Sequence, residues 1–330
     1  AAWPAGGVPV LLFIGLVPLL LLEDHLLQNR QNHSTFHIFF RVYPAFLVWN
    51  GLTIWWIYNS TLFGVVAALL VNSTVMSLAF WLFHFIRRSL KNPGSGYLAF
   101  IFAWISYEYL HHQWDLNFPW MSLGNGFAAW PAWMQWYEYT GMFGGSLWVL
   151  IVNILIFKAI KSRLLGVAGK EMIRQLAVIL LLILIPAVAS FVIYNTYTEK
   201  VAPVDVVVVQ PNIDPYEEQY ELPADLVIDQ ASALARTKAD SLTDFIVFPE
   251  SMVQPNWSSG MMIWENDLDN HPTINMFRNG LLKEFPKAGI VVGYSTYRSY
   301  DAGDAVPSTA RKFKNGDGYY DAFNTAFLFR

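Results

Sequence analysis

The pattern of apolar and polar positions changes once along the chain. From Ala1 to about Tyr194 polar positions are sparse, and the sequence is a succession of long apolar runs. From Thr196 onward short apolar runs alternate with polar, turn-rich stretches, as in a soluble α/β protein. The change near Asn195 is read as a domain boundary, giving a transmembrane domain over residues 1–195 and a second domain over residues 196–330.

A membrane-crossing helix needs about 20 apolar residues. Six stretches are read as such helices: Trp3–Leu22, Phe39–Tyr58, Leu62–Phe85, Tyr97–Leu110, Met142–Phe157 and Leu176–Tyr194. They are apolar all round rather than along one stripe, which argues against a soluble helical bundle. In the second domain, Val204–Gln210 reads as a buried strand, followed by a helix over Leu222–Asp240 with Leu226, Ile228, Ala231 and Leu234 facing inward. Phe245–Phe248 reads as a second buried strand that runs into Pro249, Glu250 and Ser251. A helix over His271–Phe285, a strand over Gly289–Gly293 and a last strand over Ala322–Phe329 complete an α/β order.

Composition sharpens the first domain. Charged residues make up 14% of the chain, against about 25% in ordinary soluble proteins, and aromatics reach 16% with 14 Trp. That balance points to lipid as solvent. A net charge of −4 argues against a nucleic-acid partner. The sequence contains no cysteine, so these residues hold no disulfide, no thiolate metal site and no cysteine nucleophile.

Loop charge predicts orientation. Arg87, Arg88 and Lys91 follow the third stretch, and Lys158, Lys161, Arg163, Lys170 and Arg174 follow the fifth, whereas Gln113–Thr140 contains no Lys or Arg. Basic loops stay in the cytoplasm, which places the loop 113–140 and everything after Asn195 outside. Ala1 then also lies outside, so a preceding helix is expected, and no signal-peptide start is visible. The loop 113–140 carries Trp114, Phe118, Trp120, Trp130, Trp133, Trp136 and Tyr137. It reads either as an interfacial aromatic belt or as a loop that enters the bilayer and handles acyl chains.

Three positions carry candidate chemistry. Glu108 lies inside the fourth stretch, where a carboxylate is costly and marks function or a structural hydrogen bond to a neighbouring helix or to the loop; the structural role is favoured. His111 and His112 are adjacent, do not share a helix face, and read as interfacial rather than metal-binding. Glu250 sits where a buried strand ends, the position at which open α/β sheets place ligands. Partial desolvation there makes a carboxylate a better proton acceptor, and the alternative is a solvated loop glutamate. Sequons such as Asn256-Trp257-Ser258 are discounted, and no P-loop, GxGxxG, HExxH or nucleophile-elbow pattern is present.

The ordered segments VVVVQPNI, FIVFPES, GIVVGYSTY and FNTAFLF resemble a nitrilase-superfamily domain, and the preceding half resembles the apolipoprotein N-acyltransferase family. Trp104 and Glu108 match that family's Trp-x-x-x-Glu on a membrane helix, FPWMSLG (118–124) its aromatic loop, and GMFGGSLWVLIVN (141–153) the helix that follows. The resemblance implies a polytopic α-helical membrane domain followed by an extracytoplasmic nitrilase-like (αββα) domain, in a bacterial inner membrane. It implies transfer of an acyl chain from a phospholipid, through a Cys thioester in a Glu-Lys-Cys triad, to the N-terminal α-amine of a diacylglyceryl-cysteine lipoprotein. No cofactor is implied, and a monomer is expected.

By motif match Glu250 is the general base, and Trp120, Phe118, Tyr220 and Asn324 are substrate-site residues, with Tyr220 only loosely aligned. Trp104 and Glu108 are structural or undetermined. The triad lysine and cysteine are expected beyond Arg330, as is a closing membrane helix, so the chain is expected to lack both ends of the family's proteins and to be inactive alone. Two alternatives share the pattern: a membrane-tethered nitrilase-type amidase, and a non-catalytic scaffold or transporter with a decayed nitrilase module.

Overall fold

The computed structural model describes residues 3, 6–90, 93–114, 116–214, 218–219, 221–255, 262–301, 303–314 and 316–330. The chain divides into two units, Ala1–Glu199 and Lys200–Arg330.

The first unit is helical: α1 (Leu12–Gly15), α2 (Val17–Gln28), α3 (His37–Ile54), α4 (Leu62–Ser89), α5 (Tyr97–Leu110), α6 (Tyr137–Leu164) and α7 (Lys170–Thr196). All six predicted stretches contain helix, but among the described residues four helices are long and apolar enough to cross a membrane: Pro9–Gln28, Leu62–Ser89, Tyr137–Leu164 and Lys170–Thr196. His37, Arg41 and Asn50 dilute the apolarity of α3. At 14 residues, α5 is about 21 Å long, short of a hydrocarbon core of about 30 Å. The first stretch also lies further along than read, ending at Gln28 and so taking Glu23 and Asp24 into the helix. Arg87 and Arg88 likewise belong to the last turn of α4 rather than to a loop.

Backbone breaks in these apolar helices are repaired by side chains of α6. Pro18 at the start of α2 interrupts the ladder after α1. Asn153 spans the gap: its Oδ1 accepts from Leu16 N–H at 2.9 Å and its Nδ2 donates to Leu12 C=O at 2.7 Å. Pro186 inside α7 has no N–H for the carbonyl four residues earlier, and Trp148 Nε1 donates to that carbonyl, Leu182 O, at 2.6 Å. Without water, each such group left open costs free energy. The outward side of α7 (Leu180, Leu184, Val188 and Phe191 among others) is exposed and apolar, the face a lipid solvent would cover.

The second unit is a mixed five-stranded sheet in the order β1-β2-β3-β5-β4, built from β1 (Val206–Val208), β2 (Phe245–Val247), β3 (Gly289–Tyr300), β4 (Arg311–Lys312) and β5 (Tyr319–Phe329). β1, β2 and β3 are parallel, and β5 runs antiparallel to β3 from Ile290↔Phe329 to Tyr300↔Tyr319. β1 is an edge strand whose Val206 and Val208 are exposed, not the buried strand expected, because it has one strand neighbour and one covered face.

α8 (Ala224–Arg236) buries Val227, Ile228, Ala231 and Ala235, a 3.6-residue stripe. Ile228 and Ala231 face inward as expected, whereas Leu226 and Leu234 fall on the outer face. The helix expected over His271–Phe285 is two pieces, α9 (Pro272–Asn279) and α10 (Leu281–Glu284), divided at Gly280. β3 and β5 are longer than their apolar runs suggested, since eleven paired positions let them extend beyond the core.

Candidate functional site

Each unit presents one cluster of the residues singled out above. In the helical unit, α5 places Trp104 and Glu108 one turn apart on one face, both buried. Glu108 Oε1 accepts from the Trp104 indole N–H at 3.0 Å and from Leu123 N–H at 2.8 Å. Leu123 opens a 3₁₀ turn, Leu123–Phe127, just after the turn Pro119–Met121. The next amide, Gly124 N–H, donates to Ser146 Oγ of α6 at 2.9 Å, and that hydroxyl also faces the Glu108 carboxylate. Glu108 Oε2 has no well-formed hydrogen bond among the described residues.

Gly124 must be glycine, since a Cβ there would overlap the Met142 carbonyl. The loop is therefore clamped between α5 and α6. Trp120 is held on its outer side, 53% exposed, edge-on to Phe118 at 5.1 Å and 5.3 Å from Trp56, ring centre to ring centre. His111 is buried edge-on against Tyr107 and Trp114, with neither ring nitrogen hydrogen-bonded among the described residues.

In the sheet unit, β2 ends at Val247 and the chain turns through Pro249, Glu250 and Ser251, the last in the left-handed region at φ 51°. The turn lies flat on β3. A Cβ at Gly293 would come within 2.5 Å of Ser251 N and 2.6 Å of Pro249 O, so glycine is needed for this close approach. Beyond the turn, Val253 N–H donates to Gly293 O at 3.1 Å and Ser295 N–H donates to Val253 O at 3.1 Å, returning the chain to the sheet. Asn324, on β5 opposite Ser295, donates from Nδ2 to Glu250 Oε1 and accepts at Oδ1 from Ser251 Oγ at 3.1 Å.

Glu250 and Asn324 thus meet across the sheet, at the carboxyl end of β2. Glu250 is exposed, which fits the solvated loop glutamate of the two alternatives rather than the partly desolvated one. Tyr220 lies outside the described residues. Among the described residues no three His, Cys, Asp or Glu side chains converge as a metal site.

Sequence reasoning missed a buried ion network. Glu23 pairs with His84 Nδ1 at 2.8 Å and with Arg87, while Asp24 pairs with Arg87 at 2.9 Å and Lys161 at 2.7 Å. This ties α2, α4 and α6 together at the end of the bundle where basic residues gather. The available signal was complementary charge at the ends of neighbouring apolar runs: Glu23-Asp24 on one, Arg87 and Lys161 on two others.

Fold and site together define a class: a helical unit with four membrane-length helices and a clamped aromatic loop, joined to an α/β unit with a carboxylate-amide pair at a strand's carboxyl end. Residues 1–155 match the family model described as the apolipoprotein N-acyltransferase N-terminal domain. The apolipoprotein N-acyltransferase of Chlorobaculum tepidum is 28% identical over 262 residues, covering 76% of this chain and 46% of that protein. That of Geobacter metallireducens is 24% identical over 265 residues, covering 76% and 48%. With four helices of membrane-crossing length and apolarity among the described residues, the chain is a multi-pass membrane protein similar to the apolipoprotein N-acyltransferases. It spans about half the length of the curated relatives it matches.

Proposed function

We propose that this chain supplies the membrane domain and the first part of the catalytic module of an apolipoprotein N-acyltransferase. The acyl donor is a phospholipid, the acceptor is the N-terminal α-amine of a diacylglyceryl-cysteine lipoprotein, and the acyl group is carried between them as a cysteine thioester. The module is nitrilase-like and extracytoplasmic, and the membrane is the bacterial inner membrane. The observation that carries this reading is the Glu250–Asn324 pair at the carboxyl end of β2, in a chain similar to these transferases from the membrane helices into the sheet.

In this reading Glu250 is the general base. Asn324 engages Oε1 and leaves Oε2 to take the thiol proton. The thiolate attacks the phospholipid ester carbonyl, the lysophospholipid leaves with a proton, and the acceptor amine then displaces the thiol from the thioester. These 330 residues contain no cysteine, so in this reading the thiol is not one of their side chains. Trp120 and Phe118, held outward on their clamped loop, contact lipid chains.

The test is to incubate the purified gene product carrying this sequence with phosphatidylethanolamine and a diacylglyceryl-cysteine peptide, and to weigh the peptide by mass spectrometry. A mass gain of one acyl chain on the α-amine is expected. Hydrolysis of small amides with no use of phospholipid would favour the amidase alternative and overturn the proposal.

A further inference from the structure

At the basic end of the helical unit, a cleft of about 800 Å³ opens between the ends of α2, α4 and α6 and the starts of α5 and α7. Its wall carries four cations, Arg30, Arg87, Lys158 and Lys161, against one carboxylate, Asp24. Arg87 and Lys161 are engaged with the buried acids. Arg30 and Lys158 have no carboxylate within ion-pair distance among the described residues, and Lys158 Nζ instead lies 5.1 Å from the Tyr97 ring centre. The cleft therefore carries uncompensated positive charge. Among the described residues it also contains an acceptor without a donor, the buried Oε1 of Gln175.

The cleft has an apolar continuation. A groove of about 260 Å³ runs between α5 and α6, lined by Leu98, Ile101, Ile151, Ile154 and Leu155. Gly94, Tyr97 and Lys158 line both cavities. A cationic basin joined through Lys158 to an apolar groove on a membrane helix pair has the two-part chemistry of a lipid, and basic pockets between membrane helices are known hosts for anionic head groups.

We propose that this composite site holds one anionic glycerophospholipid. Its phosphodiester sits beside Lys158 and Arg30, a head-group hydroxyl donates to Gln175 Oε1, and one acyl chain lies along the α5–α6 groove. The site is distinct from the Trp120 loop. It lies at the Tyr97 end of α5, and the loop follows the Leu110 end, about 20 Å away along the helix. It therefore serves as a structural or regulatory lipid site, and it does not depend on the acyl-transfer reading.

The test uses the whole chain in nanodiscs of phosphatidylcholine containing a minor fraction of phosphatidylglycerol, with retained lipid counted by native mass spectrometry after extraction. Wild type should retain phosphatidylglycerol in preference to phosphatidylcholine. Lys158→Glu should lower that retention about fivefold or more, and Ile101→Trp, which fills the groove, should do so without altering basin charge. Arg30→Glu, at an exposed residue beyond the end of α2, gives a second charge reversal should Lys158→Glu fail to fold, as judged by circular dichroism. Equal retention in wild type and all folded variants overturns the proposal. So does full competition by millimolar inorganic phosphate together with an unaffected Ile101→Trp variant, which would mark an ion site only.

Discussion

Glu108 illustrates how a costly residue is justified by its hydrogen bonds. Its Oε1 takes the Trp104 indole and the Leu123 amide, both of which lose their partner if the side chain is truncated. An unsatisfied buried donor costs about 1–3 kcal/mol, so Glu108→Ala should destabilise the helical unit by about 2–4 kcal/mol and free the loop. Glu108→Gln keeps a carbonyl oxygen for both donors and should cost less than about 1.5 kcal/mol. Thermal unfolding in detergent and chymotrypsin cleavage within residues 118–136 would report both effects, and an Ala variant indistinguishable from wild type would contradict the pinning role. The sequence exposed Glu108 as expensive, with a neighbouring helix or the loop as its structural partner; which of the two, and that the donor is the backbone amide fifteen residues on, came from the fold. Glu250 is the converse case: its place after β2 could be read from FIVFPES, whereas its exposure could not, because exposure depends on what packs over the turn.

At the scale of elements, apolar runs were legible because lipid-facing helices show no amphipathic break, and parallel strands β2 and β3 because they are buried hydrophobic runs. Helix faces and breaks were less so. The α8 stripe is displaced by about one residue from the reading that placed Leu226 and Leu234 inside: Ala224, Val227, Ile228, Ala231 and Ala235 form the buried face, and small alanines carry too weak an apolar signal to mark it against two leucines. The repair of the α1–α2 break by Asn153 joins positions 137 and 141 residues apart in sequence, which no local pattern encodes. Replacing Asn153 with leucine preserves its volume approximately and removes both bridges. A loss of about 2–4 kcal/mol is expected from the two backbone groups left unpaired, read as a lower unfolding temperature in detergent. No change would mean that the break is satisfied in another way.

For the whole molecule, the proposed orientation rests on where the cations gather. Arg87, Arg88, Lys158, Lys161, Arg163, Lys170 and Arg174 lie at helix ends that share one end of the bundle, the end proposed to face the cytoplasm because basic loops are retained there. A polypeptide of these 330 residues contains no cysteine, so introduced thiols can be labelled in it one at a time. In intact spheroplasts a single cysteine at Leu242, which is 73% exposed, should react with a membrane-impermeant maleimide, and one at Lys170 should react only after lysis. The reverse pattern would put the sheet unit in the cytosol and end the acyl-transfer reading. The most direct measurement concerns the chemistry itself: the rate of phospholipid-dependent N-acylation by the gene product carrying this sequence, with Glu250 and with Glu250→Gln. The amide cannot take a proton at this position, and loss of a general base typically costs about 10²–10⁴-fold, so the account predicts a fall in that range with unfolding behaviour unchanged. A Glu250→Gln protein that acylates at the wild-type rate would contradict it.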